Sequence, residues 1–281
     1  MIYWKQKGVL FVKVYLMTDL EGVAGVMNST DWIYPDSRYY EKGREYLTKE
    51  VNAAIDGLFA AGADEIVVQD GHGHGAINFE LLDQRAKLQR GWYGVNGPWP
   101  FGMDESYDVQ IWVGQHPKAG TELGHICHTG SFDIIDYRIN DVSVGEFGYC
   151  MFVGQTFGIT PIFASGCTAF TKEAEALVPG IETVSVKDGV MKGSGDECTV
   201  EAYEKRNWGA IHMHPVKARE LIREGAYKAL MRYRKAPESF KPTKISAPYS
   251  QRVVYRQAKG INKYVDEKSG YADLVEMLNA R

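Results

Sequence analysis

VYLMTDLEGVAG, Val14 to Gly25, is the stretch from which the fold can be read. Val9–Met17 is apolar without clean alternation, the pattern of a strand buried on both faces at the centre of a sheet. The run stops abruptly at Asp19-Leu20-Glu21-Gly22. In open α/β sheets, ligands bind outside the carboxyl ends of the strands. Extended residues at i and i+2 point the same way, so Asp19 and Glu21 can converge on one point there.

Outward from this strand, short β-branched runs alternate with helix-like stretches. Tyr39–Ala61 carries Leu47, Val51, Ala54, Ile55, Leu58 and Phe59 at helical spacing, and Gly62 ends it. Strands are expected at Glu65–Gln69, Val109–Val113, Thr160–Ala164 and Ile181–Val186. A hairpin is expected at Asp133–Ile139 and Val142–Val144, turning at Asn140-Asp141. Helices are expected at Glu146–Phe157, Thr171–Leu177, Pro215–Tyr233 and Ala272–Ala280, with β structure over Thr243–Ala258. The alternation predicts an α/β fold with a mostly parallel central sheet flanked by helices. It spans residues 1–190, the expected catalytic core. Residues 191–281 read as a smaller mixed C-terminal portion: part of the same domain, a lobe or an oligomerisation element. Gly91–Ser106, rich in Gly, Pro and aromatics, is the main irregular loop.

The chain has 281 residues, enough for a substantial core. With 44% hydrophobic and 24% charged residues and a net charge of −4, nothing draws it to nucleic acid or an anionic membrane. No apolar run approaches the roughly 20 residues of a membrane-spanning helix. Cys127, Cys150, Cys167 and Cys198 form no CxxC pair, which suggests thiols in a reducing cytoplasm. The first dozen residues are an extension without an assigned role.

Each strand end delivers an acid or an imidazole. The first offers Asp19 and Glu21. The second offers DGHGHG, Asp70 to Gly75, with His72 and His74. The third offers GQH, ending in His116, and the hairpin is followed by VGE, ending in Glu146. Converging carboxylates repel one another unless a cation lies between them. Mixed carboxylate and imidazole ligands suit zinc, with manganese or cobalt as substitutes. In GHICHTGSF, His125 and His128 are three apart and would share a face on a helix. They are either further ligands or a free imidazole for proton transfer. Cys127 between them and His212 and His214 in AIHMHP read as structural.

From Lys13 to Val190 the chain resembles the zinc-dependent D-aminopeptidases encoded with bacterial dipeptide-transport operons. The resemblance rests on Met17-Thr18-Asp19-Leu20-Glu21-Gly22, Asp70-Gly71-His72, Gly114-Gln115-His116, the run from Asn140 to Glu146, and KEAEALVPGIETVSVK from Lys172 to Lys187. It implies two zinc ions per subunit. Asp19 would bridge them, Glu21 and His116 would complete one site, and His72 and Glu146 the other. It also implies His128 as the catalytic histidine and a homodecamer with an internal channel. Two positions depart from the family's pattern: Met17 stands where Ser is common and Cys167 where Asp is common.

The expected activity is therefore hydrolysis of N-terminal D-amino acids from short peptides or amides with a free N-terminus. The rivals are a dimetal hydrolase of another amide or phosphoester bond, and a non-catalytic metal-binding protein. A phosphoesterase should offer cations at the rim, where Lys118 is the only close candidate.

Overall fold

The computed structural model describes residues 11–91, 97–258 and 260–280. Residues 9 and 10 of the expected first strand, the rest of the N-terminal extension before them, and 92–96 of the aromatic loop lie outside the described residues.

Strand β1 (Lys13–Thr18) leads through a short helix α1 (Ser29–Trp32) to α2 (Tyr40–Ala60) and β2 (Glu65–Asp70). A 3-10 turn at Phe79–Leu81 precedes β3 (Lys87–Gln89), and β4 is Val109–Gln115. The hairpin β5 (Ile134–Ile139) and β6 (Val142–Ser143) follows, with Asn140 left-handed at its turn (φ 51°). Then come α3 (Glu146–Thr156), β7 (Thr160–Cys167), α4 (Thr168–Leu177) and β8 (Glu182–Gly189). The chain ends with α5 (Val200–Arg206), β9 (Ala210–His212), α6 (Pro215–Lys235), β10 (Tyr249–Tyr255), β11 (Tyr264–Tyr271) and α7 (Leu274–Asn279).

The large sheet has the order β3-β2-β1-β4-β7-β8-β9 and is parallel except for β9. Strand β1 lies within it, as the unbroken apolar run requires. Val14 and Leu16 face one side, where α2 and α6 cover the sheet. Tyr15 and Met17 face the other, among Trp112, Phe147, Phe170 and Met277 of β4, α3, α4 and α7. Burying a side chain such as Leu16, which is wholly enclosed, contributes about 1.5–3 kcal/mol. Helix α2 buries Val51, Ala54, Ile55 and Leu58, the stripe visible in the sequence, and approaches α6 at Gly57, where an added Cβ would lie 2.2 Å from Arg223 O.

The smaller sheet is antiparallel, in the order β11-β10-β5-β6. C-terminal strands thus pair with the hairpin from the middle of the chain. Within Thr243–Ala258 only Tyr249–Tyr255 is extended in a ladder, and β11 was not foreseen. Its sequence YVDEKSGY is exposed along most of its length, so no apolar alternation marks it.

Candidate metal centre

The register of the parallel sheet assembles the centre. Thr18, the last residue of β1, pairs with Asp70, the last of β2, on one side and with Val113 on the other, where β4 runs two residues further to Gln115. Asp19, His72 and His116 then leave those ends into one space. The loops after β1 and β4 lock together. Asp19 donates its backbone N–H to Val113 O (3.0 Å), and Gly22 donates to Gly114 O (2.7 Å). Any Cβ on Gly22 would sit 2.1 Å from Gln115 O, and Gly114 is left-handed (φ 79°) with its pro-Cβ direction 2.2 Å from Asp19 O. Only glycines allow this approach.

Asp19 divides its two carboxylate oxygens between two imidazoles. Oδ1 lies 3.2 Å from His72 Nδ1, and Oδ2 lies 3.2 Å from His116 Nε2. Each imidazole has a second carboxylate beside it: Glu21 Oε2 is 3.3 Å from His72 Nδ1, and Glu146 Oε1 is 3.5 Å from His116 Nε2. Asp19, Glu21, His72 and His116 are at most 7% exposed. The resemblance pairs Glu21 with His116 and His72 with Glu146, whereas the shortest contacts group Glu21 with His72 and Glu146 with His116. Ligand atoms of Asp19, Glu21 and His116 also lie within 4.8 Å of one another, as do those of His116, His128 and Glu146.

Backbone carbonyls orient the rings. A carbonyl only accepts, so His72 donates from Nε2 to Ile33 O (2.8 Å) and His116 from Nδ1 to Pro117 O (3.0 Å). The other nitrogen of each ring is left facing the carboxylates. His116 Nε2 is a buried polar atom with no hydrogen-bond partner. An orphaned imidazole nitrogen among carboxylates is a donor set that fits zinc.

The electrostatics agree. Burial opposes ionisation of Asp19, yet the facing His116 and His72 hold its carboxyl well below the usual carboxylate range. Burial likewise opposes charge on His72 and His116, but Glu21 and Asp19 raise the first, and Glu146 and Asp19 the second, well above the usual histidine value. Glu146 is lowered against its burial, chiefly by His116. The acids that face each imidazole thus favour its charged form.

His128 behaves differently. Its ring stacks on His116 (centroids 3.9 Å apart, planes 17°) and touches Phe132. Nδ1 donates to Ile126 O (3.0 Å), leaving Nε2 as an acceptor 3.7 Å from Glu146 Oε1. Burial and the neighbouring His116 lower its pKa, so it is neutral near pH 7. The segment carrying it is a loop with Ile126 left-handed (φ 50°), not a helix. His125 therefore points elsewhere, with Nε2 shared by Met27 O and Trp208 O. Cys127 is buried with its thiol raised in pKa, beside Tyr203 and Asn207. His212 Nδ1 accepts from Gly25 N, and His214 caps α6.

A cavity of about 440 Å³ opens over the carboxylates, with His72, His74 and His128 on its walls. Tyr34, Phe101, Phe132 and Tyr149 supply an aromatic side, and Met17 contributes to the floor. Among the described residues that line it there is no lysine or arginine. Lys118 lines a different cavity and donates to Ser143 Oγ. Cys167 lies outside this wall, fully buried at the N-terminus of α4.

Two supporting residues were not singled out from sequence. Gln115 Nε2 donates to Asp19 Oδ2 (2.7 Å), and its place directly before His116 was a visible signal. The Gly130 backbone N–H donates to Glu146 Oε1 (2.8 Å), a contact between loop and helix with no sequence mark.

A profile of the D-aminopeptidase family matches residues 12–264. A curated D-aminopeptidase from Bacillus subtilis (strain 168) is 30% identical over 188 residues, covering 65% of this chain. The match spans 66% of that relative, just under two thirds of its length. Among solved structures, the fold is similar to that of a Zn-dependent D-aminopeptidase from Bacillus subtilis, described as a self-compartmentalizing protease. The TM-score is 0.80 at 23% identity, over 95% of each chain.

Proposed function

Since the chain belongs to the D-aminopeptidase family, we propose that it is a dinuclear zinc aminopeptidase releasing N-terminal D-amino acids from short peptides or amides. One observation carries this reading: Asp19 offers one oxygen to each of two imidazoles, each imidazole having its own second carboxylate. Asp19 would bridge two ions, with Glu21, His72, His116 and Glu146 as their other ligands. The shortest imidazole–carboxylate contacts group Glu21 with His72 and Glu146 with His116, while Asp19, Glu21 and His116 also gather as the resemblance implies. Bound there, the ions supply Lewis acidity toward the substrate's free amine and scissile carbonyl.

The protein's own groups do the rest. Gln115 fixes the orientation of the bridging carboxylate, and Gly130 N fixes Glu146. His128, neutral and tied through Nδ1, presents Nε2 to the cavity. It accepts the proton of the attacking water and returns it to the leaving amine. The absence of lysine and arginine among the described lining residues weighs against a phosphoester substrate. No helix among the described residues is long and apolar enough to cross a membrane. We assign the enzyme to the cytoplasm and to a homo-oligomer, a decamer by resemblance.

The test is zinc analysis with a panel of D- and L-aminoacyl amides and dipeptides. Two zinc ions per chain and turnover of D-substrates are expected; turnover of L-substrates alone overturns the stereochemical assignment. His128→Ala should lower turnover by about 10²- to 10⁴-fold with zinc content unchanged. Loss of zinc in that variant would make His128 a ligand instead.

A further inference from the structure

We propose that Lys187 is a positioning residue of the metal centre, holding in place the loop that carries Asp19 and Glu21. The inference rests on the metal reading given above. Lys187 is 2% exposed and lies on β8, three strands along from β1 in the sheet. Its ammonium reaches back over the rim to the loop after β1. Nζ donates to Glu21 O (2.5 Å), Val23 O (2.9 Å) and Val26 O (3.2 Å). An ammonium has three donors, and all are spent on this one loop.

The arrangement sets the direction of the loop's peptides. Carbonyls accept from Lys187, while the Leu20 N–H donates to Asp19 Oδ1 (2.8 Å) and Glu21 Oε2 (3.2 Å). The carbonyl nearest the ammonium belongs to Glu21 itself, a proposed ligand. Glu50, also buried, holds the same loop from α2 by accepting from Ala24 N (2.9 Å). A buried lysine is costly, and an apolar side chain of similar volume would avoid the desolvation. What the apolar residue cannot do is satisfy three carbonyls and fix where they point. Groups that orient ligands in this way typically affect metal affinity by 10- to 100-fold.

The experiment is zinc titration against a competing chelator, with thermal unfolding, on wild type, Lys187→Met and Lys187→Gln. Met removes every donor; Gln retains a neutral donor group. Leu230→Ala, a cavity in buried α6, serves as a control for loss of stability alone. The expected order of zinc affinity is wild type, then Gln, then Met, with Met weaker than wild type by roughly 10- to 100-fold. Leu230→Ala should keep wild-type affinity despite a lowered unfolding temperature. Equal affinities across the Lys187 series overturn the inference, as does an affinity loss in Leu230→Ala as large as that in Lys187→Met. Failure of both Lys187 variants to fold also overturns it, since Lys187 would then support the fold at large. Wild-type protein that binds no zinc sinks the metal reading, and this inference with it.

Discussion

Two pairs of histidines in this chain meet different surroundings. His72 and His116 come from glycine-rich strand ends, while His125 and His212 come from GHICH and IHMH. In the structure the first pair faces carboxylates and the second does not. His72 and His116 each give one nitrogen to a carbonyl and turn the other to Asp19 and a second acid. His125 has only carbonyls at Nε2 and meets the His212 ring edge-on (centroids 5.3 Å). The first pair is pushed toward protonation. Burial, with Lys187 nearby, pushes His125 down to about 2 and His212 to about 4. What marks a ligand is the acid opposite the imidazole, not the text around it.

The strongest way to break this comparison is to remove the shared acid. Asp19→Ala should abolish binding of both zinc ions and with it turnover, whereas Glu21→Ala should mainly weaken one site. Zinc counting by mass spectrometry under native conditions separates the two. A single ion lost from Asp19→Ala would show that Asp19 does not bridge.

The next effect is in pH. Each ion must displace a proton from His72 or His116, so zinc affinity should fall about tenfold per pH unit per site as pH is lowered. The metal-free protein should show the opposite trend in stability. Folded-state values raised above the unfolded one give stabilisation that is complete below about 6.5 and lost as pH rises through the raised values. At that point Asp19, Glu21 and Glu146 face one another without cations. Denaturant unfolding of chelator-treated protein across neutral to alkaline pH, with and without added zinc, measures this. Zinc that fails to restore stability at the alkaline end would count against a metal between these acids.

The strand end at Asp19 and the stripe on α2 were legible because a buried strand and an amphipathic helix each impose a period on their residues. The metal candidates were legible for a related reason: parallel strands bring their carboxyl ends to one edge of the sheet, so an acid or histidine after each one meets the others. Strands β9 and β11 left no such mark. The first has three residues and the second is largely solvated. The role of His125 was not readable either, because its partners Met27 O and Trp208 O are backbone atoms distant in sequence. Gly130 N on Glu146 is hidden in the same way. Backbone contacts across loops depend on path, and residue types do not encode path locally.

The smallest effect tests the second pair of histidines. His125→Gln keeps a donor for the carbonyls but removes the titrating ring. Zinc content and turnover should not change. Near pH 8 stability should fall by about 1–3 kcal/mol if either carbonyl loses its donor. At lower pH the two proteins should converge. A folded-state value depressed to about 2 means that the unfolded chain takes up a proton first as pH falls below about 6.5. Wild type therefore loses up to about 1.4 kcal/mol per pH unit from this residue over that range, and the variant does not. Chelator-treated proteins, unfolded in urea between pH 8 and pH 5, isolate this term from metal release. A variant with the wild-type pH slope would mean that His125 titrates normally in the fold. Loss of zinc from the variant would erase the distinction between the two histidine groups altogether.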